Sequence, residues 1–154
     1  MFHPDAGQIF GDRYVSVDLD CVITANMESV WDRSEDLVLW GDNTNPQPGS
    51  YYNGSMQLMS AGCRPHVWNT FDPLHSPQEA MRNRSWGSDQ GWLSYCLGPS
   101  EAKWTKADGV YSYRNDIGKD GHLPSNARIV MFHGGTDPWH AQAQYWPWVQ
   151  QHYR

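Results

Sequence analysis

The chain has 154 residues and 17.7 kDa, with 14% aromatics and nine Trp, which suits one domain spanning residues 1–154 whose burial comes from large rings with polar edges. Eleven Lys and Arg against seventeen Asp and Glu give a formal charge of -6, so no basic field gathers a nucleic acid, although a divalent cation would still let a nucleotide diphosphate bind. Cys21, Cys63 and Cys96 are odd in number and not in CxxC form, which excludes a disulfide framework or thiolate zinc site and fits a reducing cytoplasm.

In chain order, the start MFHPDAGQIFGDR lacks a basic region followed by an apolar run, and no later segment approaches the roughly 18 apolar residues of a membrane span. Tyr14 to Thr24 reads as one buried strand interrupted by Asp18 and Asp20. Met27 to Asp32 follows as a short helix, Leu37 to Trp40 as a strand, Gly41 to Ser50 as a loop and Tyr52 to Ser60 as a strand again. The Asn53-Gly54-Ser55 sequon is attributed to chance without a secretory signal. Helices start at Ser76-Pro77 and at Ser88-Asp89-Gln90, the second stopping at Gly98-Pro99. Gly109 to Arg114 and Arg128 to His133 are the late strands, and a Trp-rich tail supplies a short helix or two. Alternating strands and helices without repeats or linkers indicate an α/β domain.

Residues two apart in a strand share a face, so Asp18 and Asp20 would present two carboxylates to one site while Leu19 points the other way. Two carboxylates set in an apolar strand suit a hard divalent cation that completes its shell with water and phosphate oxygens. The bland alternative is a strand ending in a polar turn. His133 ends the apolar run ARIVMF on the face of Ile129 and Met131, where its imidazole could join the acids. An O,O,N donor set favours Mn2+, with Mg2+ second. Gly134 and Gly135 would let backbone N–H groups approach phosphate oxygens, and a turn with positive φ explains them equally well. Asp89 falls in the first turn of its helix, as an ionised hydrogen-bond acceptor or as an ordinary cap residue. Trp139, behind Pro138, is placed either as the floor of a ligand subsite or as a core plug.

Two families own a segment like Asp18-Leu19-Asp20. It resembles the first motif of haloacid-dehalogenase-type phosphatases, but none of Lys103, Lys106 and Lys119 is followed by the paired acids that those enzymes need. It also resembles the DxD motif of GT-A glycosyltransferases similar to glycogenin and bacterial lipopolysaccharide galactosyltransferases, and further segments match that family in order. Tyr52-Asn53-Gly54-Ser55-Met56-Gln57-Leu58-Met59 looks like the strand bordering the donor sugar, Ser88-Asp89-Gln90 like the acid–glutamine pair near the reacting centre, and Phe132-His133-Gly134-Gly135 with Asp137-Pro138-Trp139 like the closing His-Gly motif. The resemblance covers residues 14 to 148.

It implies a GT-A-like mixed sheet with flanking helices, with Asp18, Asp20 and His133 holding Mn2+. Asp89 and Gln90 would be catalytic, bordering the same cleft as the acids, and Asn53, Ser55, Gly134, Gly135 and Trp139 would bind substrate. The donor would be a nucleotide-diphospho-sugar, UDP-sugar foremost, and the acceptor a carbohydrate or glycolipid. The sequence departs from the family twice. Asp137 stands where the family has Lys, and 17 residues precede Asp18 where the family places a βαβ nucleotide-binding unit. The chain is therefore expected to be an N-terminally truncated metal- and acceptor-binding part, with an uncovered apolar edge near Asp18 through which it could form a homodimer. A degenerate relative that binds metal or sugar without catalysis is the alternative, and a phosphatase the third.

Overall fold

Residues 1–41, 49–83, 85 and 87–154 are described by the structure, a computed structural model. The strands are β1 (Arg13–Val17), β2 (Cys21–Ile23), β3 (Leu37–Trp40), β4 (Asn53–Ser60), β5 (Ala102–Trp104), β6 (Val110–Ser112) and β7 (Ile129–Met131). The helices are α1 (Gly7–Phe10), α2 (Glu28–Trp31), α3 (His66–Asn69), α4 (Ser76–Arg82), α5 (Asp89–Leu97), α6 (Ala141–Gln144) and α7 (Pro147–His152). They fall into two compact units, each assembled from two stretches of chain: Met1–Ser16 with Ser34–Lys103, and Val17–Arg33 with Trp104–Arg154. Most of the loop expected over Gly41 to Ser50 lies outside the described residues.

The first unit holds a four-stranded sheet in the order β1-β4-β3-β5. Every residue of β3 is buried, as its unbroken Leu-Val-Leu-Trp run requires of a strand covered on both faces. Leu37, Leu39 and Met59 form a core cluster with Val67, Trp92 and Leu93 of α3 and α5. Ser88 caps α5, its hydroxyl accepting from Gly91 N at 3.2 Å, and Gly98 at φ +65° stops it. The β3–β4 register breaks beside this helix. Leu39 lies opposite Gln57 but Trp40 lies opposite Asn53, so Gly54, Ser55 and Met56 bulge from the ladder. At the sheet edge, β1 is at most half-buried, and Ile9 and Phe10 ahead of it are exposed.

The second unit has a three-stranded sheet in the order β2-β7-β6, antiparallel between β2 and β7 and parallel between β6 and β7. Val22, Val130 and Phe132 pack with Ile117, Val149 and Tyr113, whose ring stacks on Phe132 at 4.2 Å. The Trp-rich tail closes this core: Trp146 Nε1 donates to the Tyr113 hydroxyl at 3.1 Å and Trp148 Nε1 to Gly121 O at 3.0 Å.

The single strand expected over Tyr14 to Thr24 is corrected by this arrangement. β1 pairs in one sheet and β2 in the other, and Asp18 to Asp20 form the bend between them, with Leu19 91% exposed. A chain that changes sheets must leave its ladder, and two adjacent carboxylates find solvent at such a bend more easily than inside a strand. The late strands are also shorter than expected. Ser112 ends β6 by accepting Asn115 N at 3.1 Å, which starts a wide π-type turn over Tyr113–Ile117.

Candidate functional site

Asp18, Asp20 and His133 all belong to the second unit, at the starts and ends of its strands. Asp20 precedes β2, and its carbonyl accepts Phe132 N at 2.8 Å, so the ladder with β7 continues one step past Met131 and delivers His133 beside the acid. Burial pushes the Asp20 carboxyl above the usual range, the charges of Asp18 and Asp137 push it further, and His133 opposes them. Burial first, then the charges of Asp20 and Asp18, raise the Cys21 thiol to about 11. Mutual repulsion of carboxylates favours any cation that can neutralise them, a proton or a metal alike.

The donor chemistry of Asp18, Asp20, Asp137 and His133 thus fits a hard divalent ion. As the side chains stand, however, no group of three His, Cys, Asp or Glu among the described residues is arranged to hold a metal ion. His133 Nε2 lies 2.7 Å from the hydroxyl of buried Ser112, which fixes the ring from behind. Asp137 also contacts His140, whose Nδ1 accepts Asp137 N at 3.1 Å.

Gly134, at φ +92°, has the conformation its position requires, and a Cβ there would sit 3.3 Å from Arg114 Nη1. Sequence reasoning missed Arg114 because it lies about 20 residues upstream, on the π-type turn rather than in the His-Gly segment. It places a guanidinium beside the glycine loop. Trp139 is 52% exposed, so it does not plug the core, and its ring meets His140 edge-on.

In the first unit, Asp89 opens α5 and its Oδ2 lies 3.6 Å from where a Cβ on Gly54 would be. The bulge in β4 therefore brings Gly54 beside Asp89. Asn53 Oδ1 accepts Ser55 N at 2.9 Å, and Gln90 Nε2 reaches Ser50 Oγ at 3.5 Å. Gln57, which sequence reasoning passed over, is 3% exposed, donates from Nε2 to Gly54 O at 3.0 Å, and leaves its Oε1 without a hydrogen-bond partner among the described residues. An alternating strand pattern gives no sign of a polar residue turned inward by a bulge.

No protein-family profile and no curated protein sequence matches the chain. Solved structures do. The galactosyltransferase LgtC in complex with donor and acceptor sugar analogs superposes at TM-score 0.58 and 14% identity over 98% of this chain and 66% of that one. The glycosyltransferase GlyE of Streptococcus pneumoniae TIGR4 does so at TM-score 0.64 and 12% identity over 95% of this chain and 42% of that one. The chain thus spans about two thirds and about two fifths of these two proteins. No helix among the described residues is long and apolar enough to cross a membrane. With its mixed sheets, flanking helices and these neighbours over nearly its whole length, the chain has a GT-A-like glycosyltransferase fold.

Proposed function

We propose that the chain is the metal- and acceptor-binding part of a cytoplasmic glycosyltransferase that moves a sugar from a UDP-sugar to a carbohydrate or glycolipid acceptor. The observation that carries this reading is the electrostatic grouping of Asp18, Asp20, Asp137 and His133 around one strand end, on a fold that solved glycosyltransferases share. Asp18, Asp20 and His133 would hold Mn2+, with Asp137 as an added carboxylate. The ion supplies charge neutralisation for the leaving diphosphate. Arg114 and the backbone N–H groups of Gly134 and Gly135 bind phosphate oxygens, standing in for the Lys absent at Asp137. Asp89 accepts a hydrogen bond from a sugar hydroxyl and Gln90 faces the anomeric centre, while Asn53 and Ser55 border the donor sugar and Trp139 offers a stacking surface.

Titration calorimetry of Mn2+ with and without UDP tests the reading. Binding of Mn2+ that UDP strengthens is the expected result, and no binding of either ends the metal-dependent account. The degenerate-relative alternative draws on the separation of the acids from an assembled metal triad. It predicts binding with no transfer or hydrolysis of UDP-sugar at any Mn2+ concentration. The phosphatase reading finds no support among the structural neighbours.

A further inference from the structure

We propose that the acceptor carries an apolar ring with a hydrogen-bond donor, and that this ring seats in a cavity of the first unit beside Asp89. The inference rests on the reading of Asp89 as a group that positions the sugar-bearing reactants. The cavity encloses about 290 Å³, just below the ~300–1,000 Å³ of pockets for drug-sized ligands. It therefore takes one ring rather than an oligosaccharide. Its walls are largely apolar. Phe71 and Trp92 meet edge-on at 5.8 Å, Val67 lies against them, and Trp68 and Phe71 stand half-exposed at the rim. The Trp92 indole N–H is already taken by Val67 O at 2.9 Å.

Gln57 is the independent observation that points to a ligand. It lines the cavity, is 3% exposed, and spends its amide N–H on Gly54 O, which leaves a buried carbonyl oxygen with no donor. A buried acceptor in that state is costly, and an arriving N–H or O–H relieves it. Asp89 lines the same cavity as Gln57. The unpartnered Gln57 Oε1 and the Asp89 carboxylate are both acceptors, so the ligand must donate. A fully hydroxylated hexose would leave most of its hydroxyls against Val67, Phe71 and Trp92. A ring with one donor satisfies Gln57 without that penalty.

The test titrates the whole chain, without metal or nucleotide, with 2-phenylethanol, anisole and methyl glucoside, following affinity by ligand-observed NMR. 2-Phenylethanol should bind about tenfold tighter than anisole, which offers no donor, and methyl glucoside weakest of the three. Phe71→Ala, at a half-exposed ring, should weaken 2-phenylethanol about fivefold with an unchanged circular dichroism spectrum. Gln57→Met should erase the preference for the alcohol over anisole. Methyl glucoside binding as well as 2-phenylethanol, no preference over anisole in the natural chain, or no effect of Phe71→Ala each overturns the proposal. The three natural-chain titrations decide the matter even where Gln57→Met does not fold. No probe binding alongside a positive Mn2+ and UDP titration sinks the cavity assignment alone. Probe binding with a blank Mn2+ titration sinks the transferase reading and leaves an apolar binding site.

Discussion

Removing the Ser112 hydroxyl separates the support of His133 from His133 itself. Ser112 is buried at the end of β6, its Oγ sits 2.7 Å from His133 Nε2, and it also accepts Asn115 N at 3.1 Å. Ser112→Ala deletes the contact with the imidazole, about 1 kcal/mol net, and leaves the half-buried Asn115 N–H to rehydrate partly, up to about 1 kcal/mol more. The sum, roughly 1–2 kcal/mol, lowers the thermal midpoint by about 5 °C for a chain of this size. The hydroxyl also holds the imidazole in its orientation, so its loss should weaken Mn2+ by about 10–100-fold, as loss of a partner behind a metal ligand does. Scanning calorimetry reads the first effect and Mn2+ titration calorimetry the second. An unchanged midpoint together with unchanged Mn2+ affinity would refute both the hydrogen bond and the role assigned to His133.

Four further outcomes are expected. Arg64 forks to Glu101 at 2.6 and 2.8 Å and to Asp36 at 2.9 and 3.2 Å, and its hydrogen bonds hold the Asp36 carboxyl below the usual range. A depressed carboxylate contributes stability above its unfolded value, near 3.8, and loses it as pH falls through the folded value. Urea melts of the natural chain and Arg64→Met should therefore differ by a constant amount from pH 5 to 8 and converge below about pH 4; a difference that grows on acidification would be the wrong sign. Gly121, at φ +68°, has no room for a methyl group, which would land in the Trp146 ring. Gly121→Ala should cost about 3 kcal/mol or more by combined backbone strain and overpacking, read in the same melts. Burial pushes the Cys21 and Cys96 thiols up to about 11, so iodoacetamide should label them slowly at pH 8 in the native chain and quickly in urea. Arg114→Ala should weaken UDP by about tenfold in the presence of Mn2+ while leaving the melting midpoint unchanged; equal UDP affinity would remove Arg114 from the phosphate site.

The sequence was legible where pattern and local chemistry agree. Leu37 to Trp40 appears with the boundaries its apolar run dictates, and helices start at Ser76-Pro77, with proline in the first turn, and at Ser88-Asp89, with Ser88 as cap, because such starts are a property of a few adjacent residues. It failed where structure depends on distant partners. Nothing in VSVDLDCVI says that Val17 and Cys21 join different sheets, since that is decided by β4 and by β7, more than a hundred residues apart from β2 in the latter case. Ala102–Trp104 carries no alternation and is a strand only because β3 offers it an edge. At the candidate site the residue types were readable and the supports were not. Asp18, Asp20 and His133 are visible as chemistry, whereas Ser112, Arg114 and the bulge that turns Gln57 inward are consequences of folding. The carboxylate Asp137, first read only as a missing Lys, is a fourth charge acting on Asp20.

Each unit is threaded through two separated stretches of chain, and this bears on how the protein is made. β2 leaves the ribosome early, yet its ladder partner β7 is more than a hundred residues later, so at ~5–20 residues per second of synthesis the first half of the second unit waits several seconds or longer without its sheet. During that interval Val22, buried in the finished unit, faces water, and so does Trp31. The first unit is complete once Lys103 has emerged and can fold while the rest is still being translated. Long-range pairing of this kind slows folding, since the loop must close before any contact rewards it. Nascent chains arrested before residue 129 should therefore protect the first unit from protease and leave 17–33 open to cleavage, and the carboxylate cluster cannot assemble until Asp137 has emerged.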